Sequence, residues 1–199
     1  MRIRLPRWRR GVVLALALSS FVSTGGCDRV ERAPDARVEV YAVDMDATPG
    51  DPAGLAYLEA VAAAHADADA HLASDPDDGM GAAQRLRPLL DRSVPAGDAA
   101  VVVHLELAAR YAELSARDAD GASEAIEILE PLLAPTRQLP LHAASARALV
   151  ALGDAAAQLD DHALAAGSYA RSVRVMSQLR KQVNPDRDVL PASEERESR

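Results

Sequence analysis

A nine-residue motif recurs in the middle of the chain. Ala82-x3-Leu86-x-Pro88-Leu89-Leu90 returns 43 residues later as Ala125-x3-Leu129-x-Pro131-Leu132-Leu133, and Ala165-x3-Tyr169 follows after a further 40. Such a period marks an architecture in which one supersecondary unit is copied and each copy buries its apolar face on its neighbours. Each motif follows a longer stretch of apolar residues at steps of three and four, then a polar turn, so the unit is a pair of helices. In the third unit the first helix carries Leu141, Ala144, Ala148, Leu149, Leu152, Ala156 and Leu159 on one stripe. The turn is Asp160-Asp161-His162, and the second helix places Ala165, Tyr169, Val173, Met176 and Val183 on its stripe. Asn184-Pro185 supplies a stop, because proline cannot continue a helix and its predecessor avoids helical angles.

Composition agrees with helices. Of the residues, 49% are apolar, with alanine dominant, and only six are aromatic: Trp8, Phe21, Tyr41, Tyr57, Tyr111 and Tyr169. Alanine loses no side-chain entropy in a helix, whereas sheets favour aromatic and β-branched residues. Pro88 and Pro131 fall late in their second helices. An interior proline costs about 3 kcal/mol, so each is expected to kink or end its helix there.

The third unit resembles a tetratricopeptide repeat (TPR) at Leu149, Leu152-Gly153, Ala156, Ala165 and Tyr169. The resemblance implies that Gly153 and Ala165 sit where two helices cross closely, with Tyr169 filling the gap beside them. The second unit matches at Leu107, Ala108, Tyr111, Ala125, Leu129 and Leu132, with an enlarged turn over Ser115–Gly121. The first, Pro52–Arg92, matches at Ala82, Leu86 and Leu89. The expected fold is all-α: three antiparallel helical hairpins over residues 53–183, stacked as a short TPR-like α-solenoid. Repeats of this family bind peptides or helices along their first helices. By position, that groove would receive Glu113, Arg147, Asp154 and Gln158.

The N-terminal region reads as an export signal over residues 1–26. Met1–Arg10 holds five arginines and no acid, and Val12–Val22 is an apolar run of 11 residues. A spanning helix needs about 20, so this is a basic segment, a short apolar core and a small-residue cleavage zone. The small residues Thr24-Gly25-Gly26 end on Cys27, the sole cysteine. This resembles the lipobox of bacterial lipoproteins. The resemblance implies a diacylglycerol on the Cys27 sulfur, cleavage just before it, and a protein lipid-anchored to the cell envelope and facing the periplasm or exterior. Removing residues 1–26 takes the formal charge from −8 to −13. So acidic a chain is ill suited to nucleic acid and is repelled by anionic membrane surfaces, which leaves lipid as the attachment. Residues 27–52 are expected to be a flexible linker. Within it Arg37–Val43 alternates like a strand but has no visible partner, and reads as an extended tether. Residues 184–199 are expected to be a disordered charged tail.

No nucleotide-binding, serine-hydrolase or zinc-protease motif occurs, so neither catalytic residues nor cofactor nor metal site is assigned. His65-Ala-Asp-Ala-Asp-Ala-His71 puts His65/Asp69 and Asp67/His71 one turn apart, and could serve a periplasmic small-ligand or metal-binding protein. Asp44-x-Asp46-x-Thr48-Pro49-Gly50 resembles the start of a calcium loop, but its glycine is late and position twelve is Leu55, so it reads as a linker turn. His104 lies near an apolar stripe and reads as a packed histidine, while His142 and His162 are isolated. The leading expectation is a non-catalytic scaffold or adaptor for envelope proteins. Cys27→Ser is expected to move the protein from the membrane to the soluble fraction without unfolding its helices. Cell fractionation with circular dichroism tests this, and membrane association that survives high salt would contradict it.

Overall fold

The structure, a computed structural model, describes residues 38–43, 52–117 and 119–183. Six helices fill most of them: α1 (Pro52–Ser74), α2 (Gly79–Leu90), α3 (Asp98–Ser115), α4 (Ala119–Leu132), α5 (Ala143–Gln158) and α6 (His162–Val183). The expected all-α fold of helical hairpins is the one adopted, as α1/α2, α3/α4 and α5/α6. The signal, Cys27 and the charged tail lie outside the described residues, as does the Asp44–Gly50 turn.

Local chemistry sets the helix ends. Proline opens α1, where its missing N–H costs nothing. Asp78 caps α2 by accepting from the Gly81 N–H at 2.8 Å. The His142 Nδ1 accepts from Ala144 N–H at 3.1 Å and caps α5, and Asp161 accepts from Leu164 N–H at 3.0 Å at the start of α6. Between α5 and α6, Asp160 takes the left-handed conformation (φ 59°). Its N–H reaches Ala157 O and the Asp161 N–H reaches Ala156 O, a Schellman closure of α5.

The two prolines act as expected. α2 ends two residues after Pro88, and α4 one residue after Pro131. The third copy has Arg171 at that position, and α6 runs on to Val183.

The helix α3 packs against α1, α2, α4 and α5, and so divides the core in two. On one side Tyr57, Val61, Leu86, Leu107 and Tyr111 form a cluster with the first hairpin. On the other, Leu105, Leu129, Leu149, Leu152 and Val175 join α3 to the second and third hairpins. The repeated alanines Ala82, Ala125 and Ala165 are all buried. The α5/α6 crossing follows the expectation for Gly153 and Tyr169. A methyl group at Gly153 would lie 2.5 Å from the Tyr169 ring.

Two expectations need correction. The first is the tether. Val40–Tyr41 (β1) pairs in parallel with Leu139–Pro140 (β2), Val40 opposite Leu139 and Tyr41 opposite Pro140. Leu139 N–H donates to Glu39 O at 2.9 Å and Leu141 N–H to Tyr41 O at 2.7 Å. Pro140, lacking a donor, sits between them. Val38, Val40 and Val43 pack on the core, so this part of the linker belongs to the folded domain. The partner is a two-residue strand about a hundred positions away, with no sequence pattern of its own.

The second concerns the α6 stripe. Its buried face is Ala165, Ser168, Arg171, Ser172 and Val175, while Val173, Met176 and Val183 are 63%, 51% and 74% exposed. Periodicity finds an apolar stripe, but only a neighbour decides whether it is covered.

Gly153→Ala is expected to destabilise the domain by about 1–3 kcal/mol, since the added methyl must displace the Tyr169 ring. Urea unfolding measures this. A loss well below 1 kcal/mol would show that the crossing has slack.

Candidate functional site

The first helices of the hairpins lie side by side, with α3 between α1 and α5. Their polar positions meet in a ladder of ion pairs. Asp69 of α1 pairs with Arg110 of α3. Arg147 of α5 grips Glu113 of α3 with two hydrogen bonds, Nε to Oε1 at 2.7 Å and Nη2 to Oε2 at 2.6 Å. Its remaining nitrogen, Nη1, reaches Glu106. The Glu113 hydrogen bonds, with Coulombic support from Glu113 and Glu106, hold the Arg147 guanidinium well above its ordinary value, against the pull of partial burial. All three side chains are roughly 40% exposed. Exposed pairs contribute about 0–1 kcal/mol, and a bidentate arginine shared by two carboxylates lies at the strong end.

Of the four residues expected to line a groove, the structure joins Glu113 and Arg147 directly. Asp154, one turn from the α5 C-terminus, accepts a 2.6 Å hydrogen bond from the Tyr169 hydroxyl. That bond pushes the Tyr169 phenol up to about 12. Gln158 is exposed at the last position of α5. Asp69, Glu106 and Arg110 belong to the same ladder, although repeat matching does not single them out. Asp69 is marked in the sequence only by its one-turn spacing from His65, and Glu106 and Arg110 only by theirs from each other, while the contacts they make run between helices.

The His65–His71 segment is drawn in different directions. Asp67 pairs with Arg85 at 3.5 Å and Asp69 with Arg110. His71 Nε2 lies 2.8 Å from the capping carboxylate Asp78. That carboxyl is held below its ordinary value, first by the Gly81 N–H and then by His71. The His65 Nδ1 is buried with no hydrogen-bond partner. Burial and then Arg110 lower its basicity. Among the described residues, no three His, Cys, Asp or Glu side chains converge as metal ligands would.

His104 is packed, as its position implied. It is 5% exposed, and its Nδ1 lies 2.6 Å from the Tyr57 hydroxyl, a link between α3 and α1. Burial lowers the basicity of this imidazole and raises the Tyr57 phenol. A comparable link ties α2, α3 and α4, where Arg87 pairs with Glu124 at 2.7 Å and its guanidinium lies 5.9 Å from the Tyr111 ring centre. Burial, with Glu124 next, pushes the Tyr111 phenol up to about 12. Arg171 was not singled out by sequence. It is 7% exposed, its Nε has no partner, and burial lowers its basicity.

Compared with protein-family models, curated proteins and solved structures, the chain matches none.

The lowered His104 sets a pH dependence. The unfolded chain protonates near the ordinary 6.5, while the folded state resists down to a lower pH. Stability is therefore full above about pH 6.5 and is lost as pH falls below it toward the folded-state value. Melting temperature should fall between pH 7.5 and 5, and His104→Gln should flatten the fall, with His65 supplying the remainder. An unchanged slope in the variant would remove His104 as its source.

Proposed function

We propose that this protein is an export-directed, lipid-anchored envelope protein that serves as a non-catalytic scaffold, binding protein partners through its helical hairpins. The observation that carries the reading is the face of α1, α3 and α5. Its charged groups are tied across helices in two sets, Asp69 with Arg110 and Arg147 with Glu106 and Glu113, and remain partly exposed. Such a ladder fixes the positions of charges on a rigid surface, which gives a partner specificity and steering more than raw affinity. Arg147, Glu113, Asp154 and Gln158 are the proposed contacts. Membrane attachment in this reading comes from lipid on Cys27. No helix among the described residues is long and apolar enough to cross a membrane.

Crosslinking in intact cells, followed by purification through a C-terminal tag, is expected to recover a stoichiometric envelope protein. Arg147→Glu sets a third acid beside Glu106 and Glu113 and is expected to cut that recovery at least tenfold while the helices remain folded. If no partner is recovered, and zinc or calcium raises the melting temperature by several degrees, the scaffold reading fails in favour of a ligand-binding protein.

A further inference from the structure

We propose that the cavity where the α2–α3 and α4–α5 connections meet is a binding site for a small monocarboxylate whose apolar body is the size of one ring. This site shares no residue with the ion-pair ladder of α1, α3 and α5, so it adds a second function to the scaffold.

The two connections that link one hairpin to the next, residues 91–97 and 133–142, come together beside the first two turns of α3. Between them lies a partly enclosed cavity of about 140 Å³. Val94, Val101, Leu105, Leu132 and Leu139 form its apolar wall. The second connection is held in place by β1. Leu139 N–H donates to Glu39 O at 2.9 Å, and Gln138 Nε2 donates to Glu39 Oε2 at 3.4 Å. The strand pair therefore preforms the wall, which is the usual state of a ligand pocket. A cavity of about 150 Å³ holds benzene in an engineered protein core, so this volume suits a single ring or a branched chain of similar bulk.

The polar groups around the cavity are donors. Burial raises the Tyr57 phenol and lowers the basicity of His104, so near neutral pH the hydroxyl keeps its proton and the imidazole is neutral. Among the described residues the Tyr57 hydroxyl has only His104 Nδ1 as a hydrogen-bond partner, at 2.6 Å, so it donates there. The single proton of the neutral ring then sits on Nε2. Among the described residues Nε2 has no partner, yet it is not one of the nitrogens sealed from solvent without one. That is the state of a donor opening on the cavity that His104 lines. Arg137, exposed at the rim, is the one charged side chain of the lining, and among the described residues it pairs with no carboxylate.

An inner N–H, an apolar wall and a guanidinium at the rim select an anion with an apolar body. A carboxylate is planar and matches the guanidinium fork. A phosphate ester would bring a second negative charge, for which the lining has no second cation.

The test titrates the full chain with benzoate, and with benzamide and benzylamine as neutral and cationic bodies of the same size, followed by saturation-transfer NMR and calorimetry. Benzoate is expected to bind at one site with a Kd on the order of 0.1–1 mM, in keeping with its few non-hydrogen atoms, and at least tenfold tighter than either control. Arg137→Gln, on an exposed side chain, should weaken benzoate at least fivefold and leave benzamide unchanged. Val101→Phe puts a ring into the cavity and should abolish binding of all three with unchanged circular dichroism. Equal affinity for the three compounds overturns the proposal, as does benzoate binding that survives both variants. Absence of saturable binding up to about 10 mM also overturns it. Arg137→Gln should leave partner recovery through Arg147 intact, so this site and the scaffold reading stand or fall separately.

Discussion

Ala82, Ala125 and Ala165 stand at one place in the three hairpins, and each is buried where two helices meet. A side chain as small as a methyl group keeps little volume between packed helices, whose axes in general lie about 8–10 Å apart depending on the side chains at the contact. With so few large side chains, the core gains its stability from many close contacts between small ones. Where the approach leaves a gap, an aromatic ring fills it. Tyr111 is 1% exposed between the hairpins, and Tyr169 covers Gly153 so closely that the glycine can carry no side chain without movement. Small residue and ring are two halves of one device, and changing either alters the distance between helices.

Polar contacts then fix the register of what alanine brings together. Tyr57–His104 and Asp69–Arg110 tie α1 to α3, Arg147 ties α3 to α5, Arg87 ties α2 to α4, and Asp154–Tyr169 ties α5 to α6. Alanine faces are nearly featureless and permit sliding. Directional hydrogen bonds between named partners do not. Exposed ion pairs add little to global stability, so their contribution is to which alignment is chosen.

Features set by one helix or one hairpin were legible in the sequence. The stripe of α5, the Gly153–Tyr169 crossing, the prolines that end α2 and α4, and the packed state of His104 all follow from local spacing. Features set by an absent or distant neighbour were not. The β1–β2 pair joins two short segments that no periodicity links. The stripe of α6 is legible as apolar, but its exposure is not, because periodicity carries no information about what packs against it. Among the site residues, the Glu113–Arg147 contact had no local signal, since it joins different helices across 34 positions.

The β1–β2 pair also changes the reach of the chain. Counted from Cys27 to the first helix, an extended linker could span on the order of 80–90 Å. Pairing at Val40–Tyr41 fixes Val38–Val43 to the domain, and a fully extended chain from Cys27 to Val38 would span at most about 40 Å. If Cys27 carries lipid as proposed, a domain on so short a leash would sweep a thin layer next to the bilayer instead of ranging across the compartment. On that reading, halving the tether would confine the proposed binding faces to roughly an eighth of the volume and raise the local concentration they present to anything held at the same surface.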